Sequence, residues 1–545
     1  MNQYPLNQVD YYDSFLCFLR GISKFQDKPA ITIYTKDKQA VTKSYRQLVE
    51  DAFSLAASMK ERGWQGLHVA LAGENTYEWI VAFFAAGVLN CPVVLVDIEQ
   101  SVETIAKMLK DADSQVVFAS AAVAQLIATE APMPKLPLVA SGGDFGISFE
   151  KLLEQGRRLL DERERFLETL PAEEELAVIA FTSGTTSSAK PVMLSRKGIL
   201  HNASDSVAMV VPGERLFTAL PFYHTYGLTC SVLGPLVEGT HLCVNGSLKT
   251  MMRDLQLFRP TVMMTVPLMV EMVHRRLVSD GMYQGMGEEL SRKSKRKFWR
   301  RETEDFVSEK LVGLKEDIFP GLEIIISGGA HLLPAISHDL NKFGIQTLQG
   351  YGITECSPLI SVNRNQCNQP ESVGLVLPSV ELQFQDGEIL VRGENVMMGY
   401  YKDEAMTREA VMDGWFHTGD LGYLDKRGFL YITGRKKNLI VLKNGKKVSP
   451  EEIEARVSQL PLVKEVMAYG VSSGQSADDM KIAVTVYPSP KEAAGMTSYE
   501  ILDTLQKEID RINDEYPSYK QIQLVNLREN EFLKTSSQKI KRQEF

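Results

Sequence analysis

A run of small hydroxyl side chains between Thr182 and Lys190 is the segment whose composition most directly suggests chemistry. Six of the seven residues from 182 to 188 carry a hydroxyl group, the seventh is Gly184, and Lys190 follows shortly after. Backbone N–H groups and hydroxyls converging in such a loop can bind phosphate oxygens, and a lysine adds a positive charge. The run lacks the spacing of a Walker A loop. A solvated Ser/Thr-rich linker has the same composition, so the segment alone leaves both interpretations open.

The elements around this run predict where it lies. It follows an apolar segment, residues 177–181, which we interpret as a buried strand, and ligands in open α/β sheets bind beyond the carboxyl ends of strands. Similar apolar runs alternate with helix-length segments from Ser44 onward, among them an amphipathic helix ending near Gly63 and a buried helix within Trp79–Leu89. This alternation predicts an α/β fold with largely parallel, doubly wound sheets.

Two further regions differ from this pattern. Residues from about 370 to 435 contain short alternating runs with a turn at Asp386-Gly387, which predicts an antiparallel β-rich subdomain, a small barrel. A compact α+β tail follows, and we place the domain boundary at 435/436. The predicted domains are therefore 1–435, containing the β-rich part, and a smaller, mobile C-terminal domain, 436–545.

Composition excludes several classes of function. The net charge of −9 gives no basic face for nucleic acid, and the six cysteines show no paired spacing typical of a zinc site. The N-terminus has no signal-peptide pattern, and the apolar run Trp79–Leu89 is too short to span a bilayer. We therefore expect a cytoplasmic protein.

Five more segments resolve the ambiguity of the hydroxyl-rich run. They are "LPFYHTYGL" (220–228), "SGGAHL" (327–332), "YGITECSP" (351–358), "GWFHTGDLGYLDKRGFLYITGRKKN" (414–438) and "FLKTSSQKIKR" (532–542). With "FTSGTTSSAK" (181–190), in this order, they resemble the adenylate-forming superfamily of AMP-dependent synthetases and ligases. The motifs are most similar to those of bacterial long-chain fatty acyl-CoA synthetases. The resemblance implies that a carboxylic acid reacts with ATP to give acyl-AMP, which then passes its acyl group to a thiol, usually that of coenzyme A.

The resemblance also implies roles for individual residues. Glu355 would hold Mg²⁺, Thr354 would contact the α-phosphate, Asp420 and Arg435 would bind ribose, and Lys539 would stabilise the transition state of adenylation. Lys437 occupies the hinge position, and rotation there would exchange Lys539 for the Gly445 loop at the thiol entrance. The phosphate loop would comprise Thr182, Ser183, Gly184, Thr185, Thr186 and Lys190. The adenine wall would comprise Gly329, Ala330, His331, Tyr351 and Gly352. His224 completes the catalytic candidates. Taken singly, each residue also fits a structural role, and it is the joint spacing that indicates function.

The motifs depart from the family pattern at several positions. Ser187 and Pro191 stand where the phosphate loop usually has glycine, Ala189 where it has proline, and Arg196 where histidine is common. In the C-terminal motif, Gln538 replaces glycine and Leu533 replaces proline. These changes retain the charged residues but leave the catalytic efficiency open.

The expected substrate is a small-molecule carboxylic acid. The predicted pocket wall, Phe222, Tyr223, Gly227 and Thr229, is mostly apolar or aromatic, and no carboxylate between 220 and 236 could pair with an amino acid's amino group. A medium- or long-chain fatty acid is therefore favoured, with coenzyme A as acceptor. An acyl carrier protein as acceptor, or an aryl acid as donor, is the alternative. Outside the ligases, a luciferase-like oxidoreductase and a nucleotide-binding pseudoenzyme remain open.

The segment 292–301, "RKSKRKFWRR", concentrates seven basic residues around two aromatic ones. One interpretation is weak peripheral contact with anionic lipid head groups. The other, which we favour, is a solvated helix face balanced by neighbouring acidic residues.

Overall fold

The computed structural model describes residues 4–34, 39–130, 136–141, 146–160, 175–182, 189–245, 247–279, 300–442, 446–472, 480–534, 540 and 542. These form two compact units. The first comprises the described residues up to 182, from 189 to 381 and from 391 to 416, and the second comprises 382–390 and those from 417 onward. The predicted boundary at 435/436 stays a prediction.

The first unit contains two large sheets. One has nine described strands, in the spatial order Leu375–Val376, Leu359–Val362, Gln346–Gly352, Ile324–Ser327, Val262–Thr265, Arg215–Thr218, His241–Val244, Pro29–Tyr34 and Ala40–Ser44. The other has eight: Gly399–Tyr400, Pro191–Ser195, Leu176–Phe181, Val93–Leu95, Val69–Ala72, Val116–Ser120, Leu138–Ser141 and Ile147–Ser148. In both sheets the central strands are parallel and the antiparallel pairs lie towards the edges. The predicted α/β class is confirmed.

Helices precede, separate and follow these strands along the chain. Their bounds are Phe15–Ile22, Tyr45–Glu61, Tyr77–Val88, Val102–Asp111, Ala121–Glu130, Phe149–Leu159, Arg196–Met209, Gly234–Val237, Met251–Phe258, Pro267–Ser279, Arg300–Ile318, Pro334–Lys342, Glu404–Ala410, Pro450–Val457 and Ser498–Glu515. The predicted helix after Ser44 begins with a capping box, because the Ser44 and Gln47 side chains each bond the other's backbone N–H. The predicted helix within Trp79–Leu89 is buried along nearly its whole length. No helix in the described part of the chain is long and apolar enough to cross a membrane.

The second unit has its own core. Strands Val463–Ser472, Met480–Pro488 and Ile522–Leu527 form one sheet, and Ile440–Val441 pairs with Lys447–Val448. Helices Pro450–Val457 and Ser498–Glu515 contribute Ile453, Val457, Leu505 and Ile509 to the buried cluster of this unit. Three strands, Val380–Gln385, Glu388–Gly393 and Trp415–Leu424, contain residues of both units, and Leu430–Arg435 pairs with the last of them. The antiparallel strands predicted between 370 and 435 are therefore present.

Candidate active site

Backbone geometry holds the two ends of the hydroxyl-rich segment together. Strands Leu176–Phe181 and Pro191–Ser195 are antiparallel, so the residues that follow and precede them lie side by side. Thr182 N donates to Lys190 O at 3.1 Å, and Lys190 N donates to Thr182 Oγ1 at 3.3 Å. The remaining predicted loop residues, Ser183, Gly184, Thr185 and Thr186, and the departure Ser187, lie outside the described residues.

Tyr400 lies between Lys190 and Glu355. Its strand, Gly399–Tyr400, pairs with Pro191–Ser195, which brings the phenol ring to the base of the hydroxyl-rich segment. Lys190 Nζ lies 5.1 Å from the ring centre, and Tyr400 Oη donates to Glu355 Oε1 at 3.1 Å. Burial, followed by the charge of Glu355, raises the pKa of the Tyr400 phenol. The phenol therefore stays protonated and acts as a hydrogen-bond donor to the carboxylate.

Glycine-containing segments follow two neighbouring parallel strands. Strand Ile324–Ser327 runs parallel to Gln346–Gly352, so their carboxyl ends lie at the same edge of the sheet, where ligands bind in α/β folds. The predicted adenine-binding residues lie there, with Gly329, Ala330 and His331 after the first strand and Tyr351 and Gly352 at the end of the second. Gly329 has a φ of +84°, a conformation that favours glycine. Thr354 and Glu355 follow in a short 3₁₀ turn.

An apolar cavity opens beside these glycines. Its empty volume, counted together with space open to solvent, is about 640 Å³. The lining residues are Ser206, Val207, Val210, Pro212, Tyr226, Cys230, Pro235, Met264, Ile326, Gly328, Gly329, Gly350, Tyr351, Gly352, Pro358, Leu359 and Val362. None of these lining residues is charged. Three of the predicted adenine-wall residues, Gly329, Tyr351 and Gly352, therefore also line this apolar cavity.

The predicted pocket residues are close in sequence to Tyr226 and Cys230, which line this cavity, but are themselves absent from its lining. Phe222 is buried with its ring 5.6 Å from that of Trp79, and Tyr223 and Thr229 are also buried. A Cβ on Gly227 would lie 2.0 Å from the Pro221 carbonyl oxygen, so this glycine permits close backbone packing.

Tyr226 and Cys230 line the cavity from the same helical segment, Tyr226–Leu233. The Tyr226 ring packs on Gly328, where an added Cβ would lie 3.0 Å from the ring. Burial raises the pKa of the Cys230 thiol to about 12, which keeps it neutral. The sequence signal for this wall of the cavity is the four-residue spacing of Tyr226 and Cys230. The prediction instead selected the preceding aromatic pair, Phe222 and Tyr223.

Asp420 and Arg435 form an ion pair in the second unit. Antiparallel pairing of Trp415–Leu424 with Leu430–Arg435 sets the two residues opposite each other. Arg435 Nε lies 2.9 Å from Asp420 Oδ1, with the carboxylate side chain 4% exposed and the guanidinium side chain 41% exposed. The predicted ribose-binding carboxylate and guanidinium are thus brought together.

The remaining predicted residues are placed in part. His224 is half-buried, with its ring 4.9 Å from that of Tyr223. Lys437 is exposed in the turn Lys436–Asn438. Lys539, Gly445, Gln538 and the segment 292–299 lie outside the described residues.

The Glu355 carboxylate is the type of ligand that magnesium prefers. Among the described residues, no group of three or more His, Cys, Asp or Glu side chains could hold a metal ion by itself. Magnesium needs no such cage, because it is commonly bound by one or two carboxylates together with substrate phosphates. The single Glu355 carboxylate, beside the segment predicted to bind phosphate, would suit that ion.

Comparison with known proteins identifies the family and several relatives of this chain. Residues 18–401 match the model of the AMP-binding enzyme family, and residues 437–545 match the model of the AMP-binding enzyme C-terminal domain. The long-chain-fatty-acid–CoA ligase FadD15 of Mycobacterium bovis is 28% identical over 74% of this chain and 71% of its own length. The long-chain-fatty-acid–CoA ligase of Escherichia coli O157:H7 is 27% identical over 89% of this chain and 88% of its own.

Among solved structures, the anthranilate CoA ligase AuaEII in complex with anthranoyl-AMP has a TM-score of 0.77. It is 20% identical, with 99% of this chain and 96% of that chain covered, so the likeness concerns the fold. The chain belongs to the AMP-binding enzyme family. The predicted superfamily and the predicted enzyme class, an acid–thiol ligase, are confirmed.

Proposed function

We propose that the protein is an acyl-CoA synthetase that activates a medium- or long-chain fatty acid with ATP and transfers the acyl group to coenzyme A. The two bacterial relatives are named as long-chain-fatty-acid–CoA ligases and align over most of this chain. The site residues that the resemblance assigns to ATP are present in the sequence, including Glu355, Asp420, Arg435 and Lys539.

The observation that carries the proposal is the cavity beside the glycine-containing strand ends. Its walls include the aliphatic side chains of Val207, Val210, Met264 and Ile326, and none of its lining residues is charged. An alkyl chain gains free energy by leaving water for such a lining, whereas a charged substrate tail would lose its hydration there. The cavity meets Gly329 and Tyr351, so a fatty acid in it would direct its carboxylate towards the nucleotide.

In the first half-reaction, a carboxylate oxygen attacks the α-phosphorus of ATP. An O–P bond forms while the bond from phosphorus to pyrophosphate breaks, and negative charge accumulates at the reacting phosphoryl group. We assign Lys539 and Thr354 to that charge, because preorganised donors stabilise a transition state more than the ground state. Thr182 to Thr186 and Lys190 would hold the β- and γ-phosphates until pyrophosphate leaves. Magnesium bound at Glu355 would neutralise phosphate charge that repels the carboxylate.

Nucleoside binding is assigned to residues at two places. Tyr351 would stack on adenine, with Gly329, Ala330 and His331 forming the other wall. Asp420 would accept hydrogen bonds from the ribose hydroxyls, and the Arg435 contact would orient that carboxylate.

In the second half-reaction, the thiol sulfur attacks the acyl carbonyl carbon. A C–S bond forms, the C–O bond to AMP breaks, and the thiol proton is lost to solvent or base. Rotation at Lys437 would withdraw Lys539 and bring the Gly445 loop to the thiol, and His224 stays a catalytic candidate. A carrier-protein thiol, an aryl acid, luciferase-like oxidation and nucleotide binding without turnover are the competing outcomes of the test.

The testing experiment is ATP–pyrophosphate exchange across a panel of carboxylic acids. Exchange that rises with alkyl chain length supports the proposal, and exchange restricted to aryl acids contradicts it. Acyl-AMP made in the assay is then offered coenzyme A or holo-acyl carrier protein. Oxygen uptake in place of thioester formation would indicate the oxidoreductase, and an absence of exchange with every acid would indicate a pseudoenzyme.

A further inference from the structure

Glu388 is a buried carboxylate outside the motifs discussed above. Its side chain is 5% exposed. Gly419 N donates to Oε1 at 3.1 Å, Lys436 Nζ donates to Oε2 at 2.8 Å, and His417 Nδ1 lies 3.3 Å from Oε2. Burial raises the pKa of Glu388, but the contacts with Lys436 and His417 outweigh it and leave the pKa below its ordinary value. A buried carboxylate needs such partners, so these contacts fix the segments that supply them.

The partners of Glu388 come from strand Trp415–Leu424 and from the turn that follows strand Leu430–Arg435. His417 and Gly419 immediately precede Asp420, while Lys436 lies between Arg435 and Lys437. Asp420 and Glu388 therefore bind consecutive cations, Arg435 at 2.9 Å and Lys436 at 2.8 Å. One network joins the segment assigned to ribose with the segment assigned to the hinge.

The Lys436 contact extends this network beyond the end of the sheet. Strand Leu430–Arg435 ends at Arg435, and the 3₁₀ turn Lys436–Asn438 begins at the next residue. The Lys436 side chain is 59% exposed, so its ammonium group is held on the protein by Glu388 while much of its stem contacts solvent. Without Glu388, the backbone at Lys436 would lose a fixed point one residue before Lys437.

We propose that Glu388 is a positioning residue that anchors the base of the Lys437 hinge. The anchor keeps Arg435 on Asp420 and confines rotation to Lys437. This inference rests on the proposed function, because the roles of Asp420, Arg435 and Lys437 come from it. Loss of the anchor should weaken nucleotide binding and loosen the hinge backbone together, while the chemical step changes little.

The test compares Glu388→Gln and Lys436→Gln in the full chain. We expect the KM for ATP in pyrophosphate exchange to rise about tenfold in each variant, a factor typical of losing the coupling between two sites, while kcat stays within about twofold. Tryptic cleavage after Arg435 or Lys437, sites that every variant retains, should become faster. The double variant should be no worse than the singles, because both substitutions break one contact.

Two controls make the result specific. Glu381→Gln breaks an ion pair between Glu381 and Arg392, both of which have substantially exposed side chains. This variant should keep the wild-type KM for ATP and the wild-type rate of tryptic cleavage. Lys436→Arg should retain the contact and restore both readouts. Wild-type KM and wild-type cleavage in both test variants would overturn the inference.

The role of Glu388 stays testable even if a variant is too unstable to assay or the wild-type protein shows no exchange. If Glu388→Gln lowers the melting temperature too far, Lys436→Gln decides, because it alters an exposed side chain. If the wild-type protein shows no exchange with any acid, the proposed function fails, and the tryptic comparison still decides whether Glu388 anchors the segment.

Discussion

The Tyr400 phenol donates a hydrogen bond of 3.1 Å to the Glu355 carboxylate, while Lys190 Nζ lies over the same ring. The tyrosine thus connects the carboxylate assigned to magnesium with the lysine assigned to the β- and γ-phosphates. The pairing of strand Gly399–Tyr400 with Pro191–Ser195 holds it there.

Tyr400→Phe removes this hydrogen bond and retains the ring beneath Lys190. Loss of a typical hydrogen bond costs about 1 kcal/mol, so we expect the kcat/KM of adenylation to fall about fivefold. The magnesium concentration for half-maximal ATP binding should rise by a similar factor, because Glu355 loses a fixed orientation. Exchange kinetics and nucleotide-binding titrations at several magnesium concentrations measure the two effects.

Tyr401→Phe is the matched control for this substitution. The Tyr401 phenol donates to Asp113 Oδ2 at 2.8 Å at an exposed position, and its loss should change neither readout. An unchanged magnesium titration in Tyr400→Phe would show that the phenol does not orient Glu355.

Cys230→Trp should shorten the acids that the protein accepts. Cys230 is 3% exposed and lines the apolar cavity, so an indole there occupies space proposed for the alkyl chain. We expect kcat/KM for long-chain acids to fall at least tenfold relative to short-chain acids, since each buried methylene contributes about 0.8 kcal/mol. Pyrophosphate exchange over a homologous series of acids measures this preference.

Cys230→Ala leaves the cavity open and serves as the control, with the wild-type chain-length profile expected. Equal loss of activity towards all chain lengths in Cys230→Trp would mean that the acyl chain binds elsewhere.

The His241 imidazole should make the protein less stable at mildly acidic pH. Burial, assisted by the charge of Arg215, lowers its pKa to about 4 from 6.5, and Nε2 lies 2.7 Å from Thr32 Oγ1. As pH falls from 6.5 towards 4, the unfolded chain takes up a proton that the folded imidazole resists, so stability is lost across that window. His241→Gln should therefore show a smaller drop in melting temperature between pH 7 and pH 5 than the wild type. The control His338→Gln alters an exposed side chain and should show the wild-type drop; an equal drop in all three proteins would exclude the imidazole as its source.

Lys539→Ala should separate the two half-reactions. Removal of one preorganised donor lowers rates by about 10²–10³, so pyrophosphate exchange should fall by that factor. Conversion of supplied acyl-AMP to thioester should remain near the wild-type rate, because the proposed domain rotation would withdraw the lysine for that step. Lys534→Ala provides a control. Lys534 lies on the same C-terminal segment as Lys539 but forms an ion pair with Glu465, so its loss should not separate the two half-reactions. Equal loss of both half-reactions in Lys539→Ala would contradict the domain-rotation account.

The sequence predicted the α/β alternation because it follows local rules, and helix periodicity identified Tyr45–Glu61. Glu355 and Asp420 were assigned from the resemblance of their motifs to the adenylate-forming superfamily. It did not reveal Tyr400 or Glu388, because their contacts join residues 45 and 48 positions apart through strand pairing and side-chain packing. The four-residue spacing of Tyr226 and Cys230 is visible in the sequence, but only tertiary packing decides that this face, and not Phe222 and Tyr223, lines the cavity.

The most direct test of the central claim is the stoichiometry of the complete reaction with purified protein, ATP, magnesium, coenzyme A and a long-chain fatty acid. We predict one acyl-CoA, one AMP and one pyrophosphate per ATP consumed, with no AMP formed when the acid is omitted. ADP as the nucleotide product, or AMP release without any thioester on either coenzyme A or a carrier protein, would contradict the account.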